Sequence, residues 1–290
     1  MKKHAYLIMA HNQPDLLKKL VTLLDDERND IYIHADVKMK NFQEDEYRKI
    51  VKSANIFFTE RINIKWGSYS QIYCELLLLK KAIKTEHSYY HLLSGVDLPI
   101  KSQNVIHEFF ERYDGFEFVD EDNEIINEIC LERIKYYHIL NYRKNRLSEM
   151  LKKSSMALQN RLGVNRLKMH KDVHFQKGRN WFSITHEFAK YVVEKEKWIE
   201  QMFEKSFCAD ELFLQTLARN SKFAMKICNC ITMPEVPDTR HIDWNRGYPY
   251  IFQDKDYEEL KRVEALFARK FDLKVDQNIV ERIYTDMLNS

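Results

Sequence analysis

Residues 4–36 read HAYLIMAHNQPDLLKKLVTLLDDERNDIYIHAD. The runs HAYLIMAHN and DIYIHAD have the apolar character of buried strands. Between them, QPDLLKKLVTLLDD spaces its leucines and Val21 as one face of a helix, with Pro14 in the first turn. Strand, crossover helix and strand is the unit that joins parallel strands, because a tight hairpin cannot. The pattern continues along the chain. FQEDEYRKIVKSA (42–54) reads as a helix, NIFFTE (55–60) as a short strand and SYSQIYCELLLLKKAIKT (68–85) as a long helix. SYYHLLSGVDLPI (88–100) reads as a strand and a turn, and SQNVIHEFFERY (102–113) as a helix capped by Ser102. The expected fold class is therefore α/β, a mostly parallel sheet flanked by helices. Such sheets bind ligands beyond the carboxyl ends of their strands. His11, Asp36 and the turn Ser94–Asp97 all fall at such ends.

The chain has 290 residues, 44% of them hydrophobic, which is enough for one large α/β domain or two small ones. A formal net charge of +2 argues against a nucleic-acid binder. With 6 Gly and 5 Pro, long flexible linkers are not expected. The five cysteines, Cys74, Cys130, Cys208, Cys228 and Cys230, lack a CxxC pair, so reduced thiols are expected, with Cys228 and Cys230 as alternating residues of one strand. The basic N-terminal start is followed by too short an apolar run for a signal peptide, and no window is apolar enough to span a membrane. A cytoplasmic protein is the expectation.

The middle is different. Between Arg133 and Arg179 there are 13 Lys and Arg, opposed only by Glu149 and Asp172, with Tyr136, Tyr137, Tyr142 and Met156 interleaved. This is either a solvated helical face or a cationic flap that meets an anionic membrane surface or a phosphate-bearing acceptor.

Walker A, GxGxxG, GxSxG and HExxH motifs are absent, as is any zinc-type Cys/His spacing. Asp120-Glu121-Asp122 and Asp254-Lys255-Asp256 match Asp-x-Asp but lie in polar stretches and read as solvated loops rather than as a metal site at a strand end. Side-chain cations can neutralise a diphosphate instead, and Arg240, Arg246 and Lys270 lie in one aromatic-flanked C-terminal segment. Lys270 sits between Phe267 and Phe271 in LFARKFD, so its ammonium must snorkel or find an anion. FCADELFLQTLARN (207–220) starts a helix with two adjacent carboxylates, Asp210 and Glu211. Both types suit a helix N-terminus, and one could instead be a general base.

Taken in order, AYLIMAHNQPDLLKKLVTLL, DIYIHAD, WGSYSQIYCELLLLKKAI, YYHLLSGVDLPIKS, NWFSIT, ADELFLQTL, RHIDW and LFARKFD resemble glycosyltransferase family 14, the core-2/I-branching β-1,6-N-acetylglucosaminyltransferases and peptide O-xylosyltransferases. The length resembles the compact bacterial members. The resemblance implies a GT-A nucleotide-sugar transferase fold over residues 1–290, with 1–120 as the nucleotide-binding half and 121–290 as the acceptor-binding and catalytic half. It implies an inverting, metal-independent enzyme with no cofactor beyond its UDP-sugar donor. Glu211 would be the catalytic base and Asp210 the cap. Arg240 or Arg246, with Lys270, would hold the diphosphate. Met9, His11 and Asp36 would lie near the nucleotide, and Trp66 and Asp97 match signature positions on the donor side. Trp181, Asp210 and Trp244 are the expected acceptor-side residues. The donor would be UDP-N-acetylglucosamine, with UDP-xylose as the alternative, and a non-catalytic nucleotide- or sugar-binding domain as the reading from another class. The acceptor would be a glycan or lipid-linked glycan of bacterial surface polysaccharide synthesis, handled at the inner face of the cell membrane.

Overall fold

The computed structural model describes residues 2–122, 128–138, 146–229 and 231–290, without the side chains of 128, 129 and 146–148. The strands are β1 (His4–Ala10), β2 (Asn29–Ala35), β3 (Asn55–Phe58), β4 (Tyr89–Ser94), β5 (Leu98–Pro99), β6 (Phe118–Val119), β7 (Phe182–Thr185), β8 (Arg240–Ile242) and β9 (Phe267–Arg269). The helices are α1 (Pro14–Leu23), α2 (Glu44–Ile50), α3 (Ser70–Ala82), α4 (Gln103–Arg112), α5 (Glu128–Lys135), α6 (Arg146–Arg161), α7 (His186–Glu194), α8 (Glu196–Phe203), α9 (Phe213–Arg219), α10 (Tyr257–Arg262) and α11 (Gln277–Leu288).

The main sheet runs β3-β2-β1-β4-β7-β6. Strands β3, β2, β1 and β4 are parallel, and β7 is antiparallel to both its neighbours. The alternation of β1 explains why the sheet is covered on both faces. Tyr6 and Ile8 pack with Leu16, Leu17 and Leu20 of α1, whereas Ala5 and Leu7 pack on the opposite face with Ile72, Leu76 and Leu79 of α3. The helix-flanked, mainly parallel sheet expected from the sequence is the observed one. Two local expectations are not met. Ser102 takes the N-cap position of α4 without a side-chain cap hydrogen bond. Cys228 lies just after an isolated bridge at Ile227 and not in a strand, and Cys230 is outside the described residues. Cys74, Cys130, Cys208 and Cys228 are free thiols.

A second sheet, β5-β9-β8, is fastened to the first by Arg240. The β4–β7 ladder ends with the pair His91 and Ser183. One residue beyond, Arg240 Nη2 donates to the carbonyls of both Leu92 (3.3 Å) and Phe182 (2.6 Å), and to Ser183 Oγ (3.1 Å). The guanidinium thus occupies the point where the two strands part.

On β2, buried His34 accepts the N–H of Ile62 at Nε2 (3.1 Å), which ties the 62–66 segment to the sheet. Burial pulls the His34 pKa from 6.5 down to about 4, so folding favours the neutral ring. That contribution is complete above about pH 6.5 and is lost as the pH falls towards 4. Protonation at Nε2 also removes the acceptor. The thermal midpoint of the wild type should therefore fall more steeply between pH 7 and 4.5 than that of His34→Gln, whose amide oxygen can accept the same N–H. Parallel melting curves across that range would contradict this.

Candidate active site

Strands β1, β2 and β4 end on the same side, and a cleft of about 940 Å³ opens beyond them. His11 follows β1, Asp36 follows β2 and Ser94 ends β4, and all three line the cleft with Met9. Asp36 is fully buried. Its carboxylate accepts the N–H groups of Lys38 (2.8 Å) and Ile64 (3.0 Å) and pairs with Lys38 Nζ (3.2 Å). It therefore pins a sharp turn to the segment that presents Trp66 to the cleft.

This end of the cleft is cationic. Arg269, at the end of β9, lines it beside Lys38. Asp97 is buried and holds Arg269 by an ion pair of 2.7 Å, while it accepts the N–H and the hydroxyl of Ser94, each at 2.7 Å. Asp97 acts here through Arg269 and does not line the cleft. The Arg269 guanidinium also lies 4.5 Å over the Trp181 ring, another lining residue. Lys270 is not a lining residue, but it stands near His11. Burial, then Lys270 and Arg269, lower the His11 pKa below its ordinary value, so the ring is neutral at pH 7.

Two further lining residues are adjacent carboxylates. Asp210 and Glu211 lie in a single 3-10 turn, Ala209–Glu211, ahead of α9. Cys208 enters this turn in the left-handed region (φ 47°) and donates its N–H to Gly67 O (2.9 Å), itself at φ 72°. A Cβ at Gly67 would meet Phe207 Cε2 at 2.7 Å, so the Trp66-Gly67 corner fits only glycine there. Trp66 packs edge-on against Phe207, with ring centroids 5.7 Å apart.

Asp210 is not the helix cap expected from the sequence, because its side chain makes no capping bond to the turn. It is buried and accepts Gln71 Nε2 at 2.8 Å, and Gln71 Oε1 in turn accepts the Gly67 N–H. Burial and then the charge of Glu211 push the Asp210 pKa up to about 7. Beneath it Glu75 is completely buried, and burial, with Asp210 next, raises its pKa well above the carboxylate range. Neither Glu75 oxygen has a hydrogen-bond partner. Asp210 and Glu211 both line the cleft, but the Glu211 side chain is partly exposed and its Oε2 accepts Arg133 Nη1 at 2.7 Å.

The third wall follows β6. Asp120 pairs with Arg179 and Asp122 with Lys177, each at 2.5 Å, and Glu121 accepts two bonds from Arg219 at 2.5 Å. The expected solvated loop is instead a clamp, with Glu121 buried. Asp254–Asp256 is no solvated loop either. Asp256 is buried, closes a capping box with Gln253 and accepts Arg246 Nη1 at 2.8 Å. Among the described residues, no group of His, Cys, Asp and Glu is placed to hold a metal ion.

Neither expected arginine lines the cleft. Arg240 is consumed between the sheets, as described above. Arg246 binds Asp243, Asp256 and Glu259, and braces the foot of the loop that carries Trp244 and Tyr248. Trp244 and the fully exposed Tyr248 do line the cleft, as do Trp66 and Trp181. The basic run also divides. Arg133, Lys177 and Arg179 are in ion pairs, and buried Arg166 donates to Ile134 O and Met202 O. Tyr142, Arg143 and Lys144 are outside the described residues, as is the side chain of Arg146.

The core-2/I-branching enzyme profile matches residues 4–266, nearly the whole chain. The chain belongs to the core-2/I-branching enzyme family. Rat xylosyltransferase 2 is 23% identical over 312 residues, covering 96% of this chain and 33% of that protein. A human β-1,3-galactosyl-O-glycosyl-glycoprotein β-1,6-N-acetylglucosaminyltransferase is 24% identical over 318 residues, covering 94% of this chain and 66% of its own length. The chain thus spans about a third of the first relative and about two-thirds of the second. The crystal structure of apo mouse xyloside xylosyltransferase 1 aligns over 91% of this chain and 96% of that one, with 9% identity and a TM-score of 0.37.

The family is one of glycosyltransferases, and several cleft residues of this member carry no clear sequence signal. Lys38, Gln71, Arg133 and Arg269 were not distinguishable from surface residues. Gly178 had one cue, the scarcity of glycine in the chain. It lines the cleft between the two clamp cations and donates its N–H to Glu211 O (3.0 Å). A Cβ there would stand 1.9 Å from the backbone oxygen of Asp120. Gly178→Ala must displace backbone, so it should cost about 1–3 kcal/mol of stability by overpacking. A chemical denaturation midpoint equal to that of the wild type would refute the close approach.

Proposed function

We propose that this chain transfers a sugar from a UDP-sugar to a hydroxyl of a glycan or lipid-linked glycan, with inversion and without a metal ion, in the synthesis of bacterial surface polysaccharide. The supporting observation is that one cleft combines the cations Lys38 and Arg269, with Lys270 nearby, and the partly exposed carboxylate Glu211. N-acetylglucosamine is the preferred donor sugar, in line with the human relative, and xylose is the second reading, in line with the rat one. The enzyme would act in the cytoplasm, at the inner face of the cell membrane.

In this reading the UDP moiety lies across the ends of β1, β2 and β4, with the base near Met9 and Asp36 and the diphosphate against the cations. The acceptor enters past Trp66, Trp181 and Trp244. Its hydroxyl oxygen forms a bond to the anomeric carbon from the face opposite UDP. The hydroxyl proton passes to Glu211, and the bond from that carbon to the β-phosphate oxygen breaks with its electron pair on UDP. Arg133 holds Oε2 of Glu211, which leaves Oε1 for the acceptor hydroxyl. The fixed cations favour the leaving diphosphate more as its charge develops, which is how they accelerate the step. One carboxylate suffices because no covalent glycosyl-enzyme forms, in contrast to the paired carboxylates of a retaining glycosidase.

Three measurements test this. Glu211→Gln should reduce turnover at least about a hundredfold while UDP binding measured by calorimetry stays at the wild-type value; near wild-type turnover would remove Glu211 from the mechanism. Arg269→Ala should weaken UDP binding by about tenfold or more through loss of a charge-assisted contact. Thermal shift with a panel of UDP-sugars should show stabilisation that persists in EDTA. Stabilisation abolished by EDTA would overturn the metal-free mechanism.

A further inference from the structure

Helix α6 is built the wrong way round for a helix that only packs on a globular protein. Its inner side is fastened: Gln159 exchanges hydrogen bonds with the backbone of Tyr137 (2.8 and 3.0 Å), and Asn160 accepts the Tyr136 hydroxyl (3.2 Å). Its outer side exposes large apolar side chains among polar and basic ones. Met150 is 60% exposed, Leu151 46% and Leu158 57%, and Leu162, one residue past the helix, is 70% exposed. The spacings of seven, eight and four residues place these four side chains on one side of the helix. Lys153 and Arg161 are exposed on the same helix, and exposed Lys168 and Lys171 follow it, opposed only by Glu149 and Asp172.

An apolar stripe with cations at its margins is the pattern of a helix that lies in the plane of a lipid–water interface. The leucines enter the acyl boundary, and the ammonium and guanidinium groups meet anionic headgroups. An acidic protein partner would match the charges, but would not in itself call for these four exposed large apolar side chains on one side of the helix. The helix is also linked to the cleft. Lys152 Nζ lies 4.5 Å over the Phe207 ring, and Phe207 packs on Trp66, a cleft-lining residue.

We propose that the outer face of α6 docks the protein on an anionic bilayer surface and thereby places the Trp66 rim of the cleft at the membrane. The consequence for acceptor delivery rests on the transferase reading above: a lipid-linked acceptor would reach the cleft from the bilayer without leaving it. The docking itself does not depend on that reading.

The test is flotation of the full chain with vesicles of phosphatidylcholine alone and of phosphatidylcholine with phosphatidylglycerol, at low and high salt. Binding should require the anionic lipid and weaken with salt. The double change Lys153→Glu, Arg161→Glu should lower vesicle affinity by about tenfold or more, and Leu158→Ser with Leu162→Ser should abolish binding. Both pairs should leave the thermal midpoint and UDP calorimetry at wild-type values. No flotation, or equal flotation with the neutral vesicles, would overturn the proposal. So would a change in solution mass on Leu158→Ser and Leu162→Ser, which would make the stripe an interface between copies of this chain. Vesicle binding by a protein that does not bind UDP would defeat the transferase reading and leave the docking surface standing.

Discussion

The arrangement depends on one desolvated cation. Arg240 is buried against carbonyl oxygens rather than in a carboxylate pair, and its donors reach Leu92, Phe182, Ser183 and Thr239. Burial lowers its pKa to about 10, with the fields of Asp238 and Asp97 acting in the other direction, so it remains charged at neutral pH. Carbonyl dipoles oriented by two strands are a preorganised solvent for such a group, and removing a partner from a buried charge is far more costly than breaking a surface pair. Because β8 carries Arg240 and pairs with β9, the same contact holds β9 against the main sheet. Strand β9 in turn delivers Arg269 to the cleft. The charge that does not reach the ligand site therefore positions one that does.

The cleft follows the same rule at each of its edges: a charge at the cleft is held by a second group of opposite sign. Arg269 is held by Asp97, Lys38 by Asp36 and Glu211 by Arg133. Asp97 and Asp36 are themselves fixed by backbone N–H groups at strand ends. Fixing the outer group costs side-chain entropy at folding rather than at binding, which is what makes electrostatic stabilisation effective when charge develops. The clamp of Asp120, Glu121 and Asp122 with Arg179, Arg219 and Lys177 extends this to a whole wall. It brings the backbone of residue 178 against residue 120, and only a residue without a Cβ fits.

Much of this was legible before any coordinates. The strand–helix–strand pattern of residues 4–36 gave the parallel half of the sheet, because hydrophobic period is local information. The ends of β1, β2 and β4 gave His11, Asp36 and Ser94 as cleft residues, because a parallel sheet has one ligand-binding edge. What was not legible was charge partnership. Arg240, Arg246 and Lys270 have similar sequence surroundings, yet the first is buried between sheets, the second braces a loop and the third stands near His11 without lining the cleft. Nothing in the order of residues says that Arg219 will meet Glu121 or that Arg133 will meet Glu211, 78 positions apart. The dense basic run divides for the same reason. It was read as one feature, although its members at 133, 166, 177 and 179 are consumed by unrelated partners.

The two adjacent carboxylates show most clearly how environment separates like residues. A helix N-terminus would favour charge on both. The chain instead enters the turn through a left-handed Cys208, which directs Asp210 inward towards Gln71 and Glu75 and leaves Glu211 at the cleft. Desolvation and the neighbouring negative charge both act on Asp210 and bring its pKa to about 7. Burial, with Asp210 next, also pushes Glu75 below it towards the neutral form. A second full charge beside Glu211 is therefore disfavoured by burial as well as by proximity. The Gln71 amide, shared between Asp210 and the Gly67 N–H, couples that arrangement to the corner that presents Trp66. The positions of the two carboxylates and the shape of the aromatic rim are thus set by the same few hydrogen bonds.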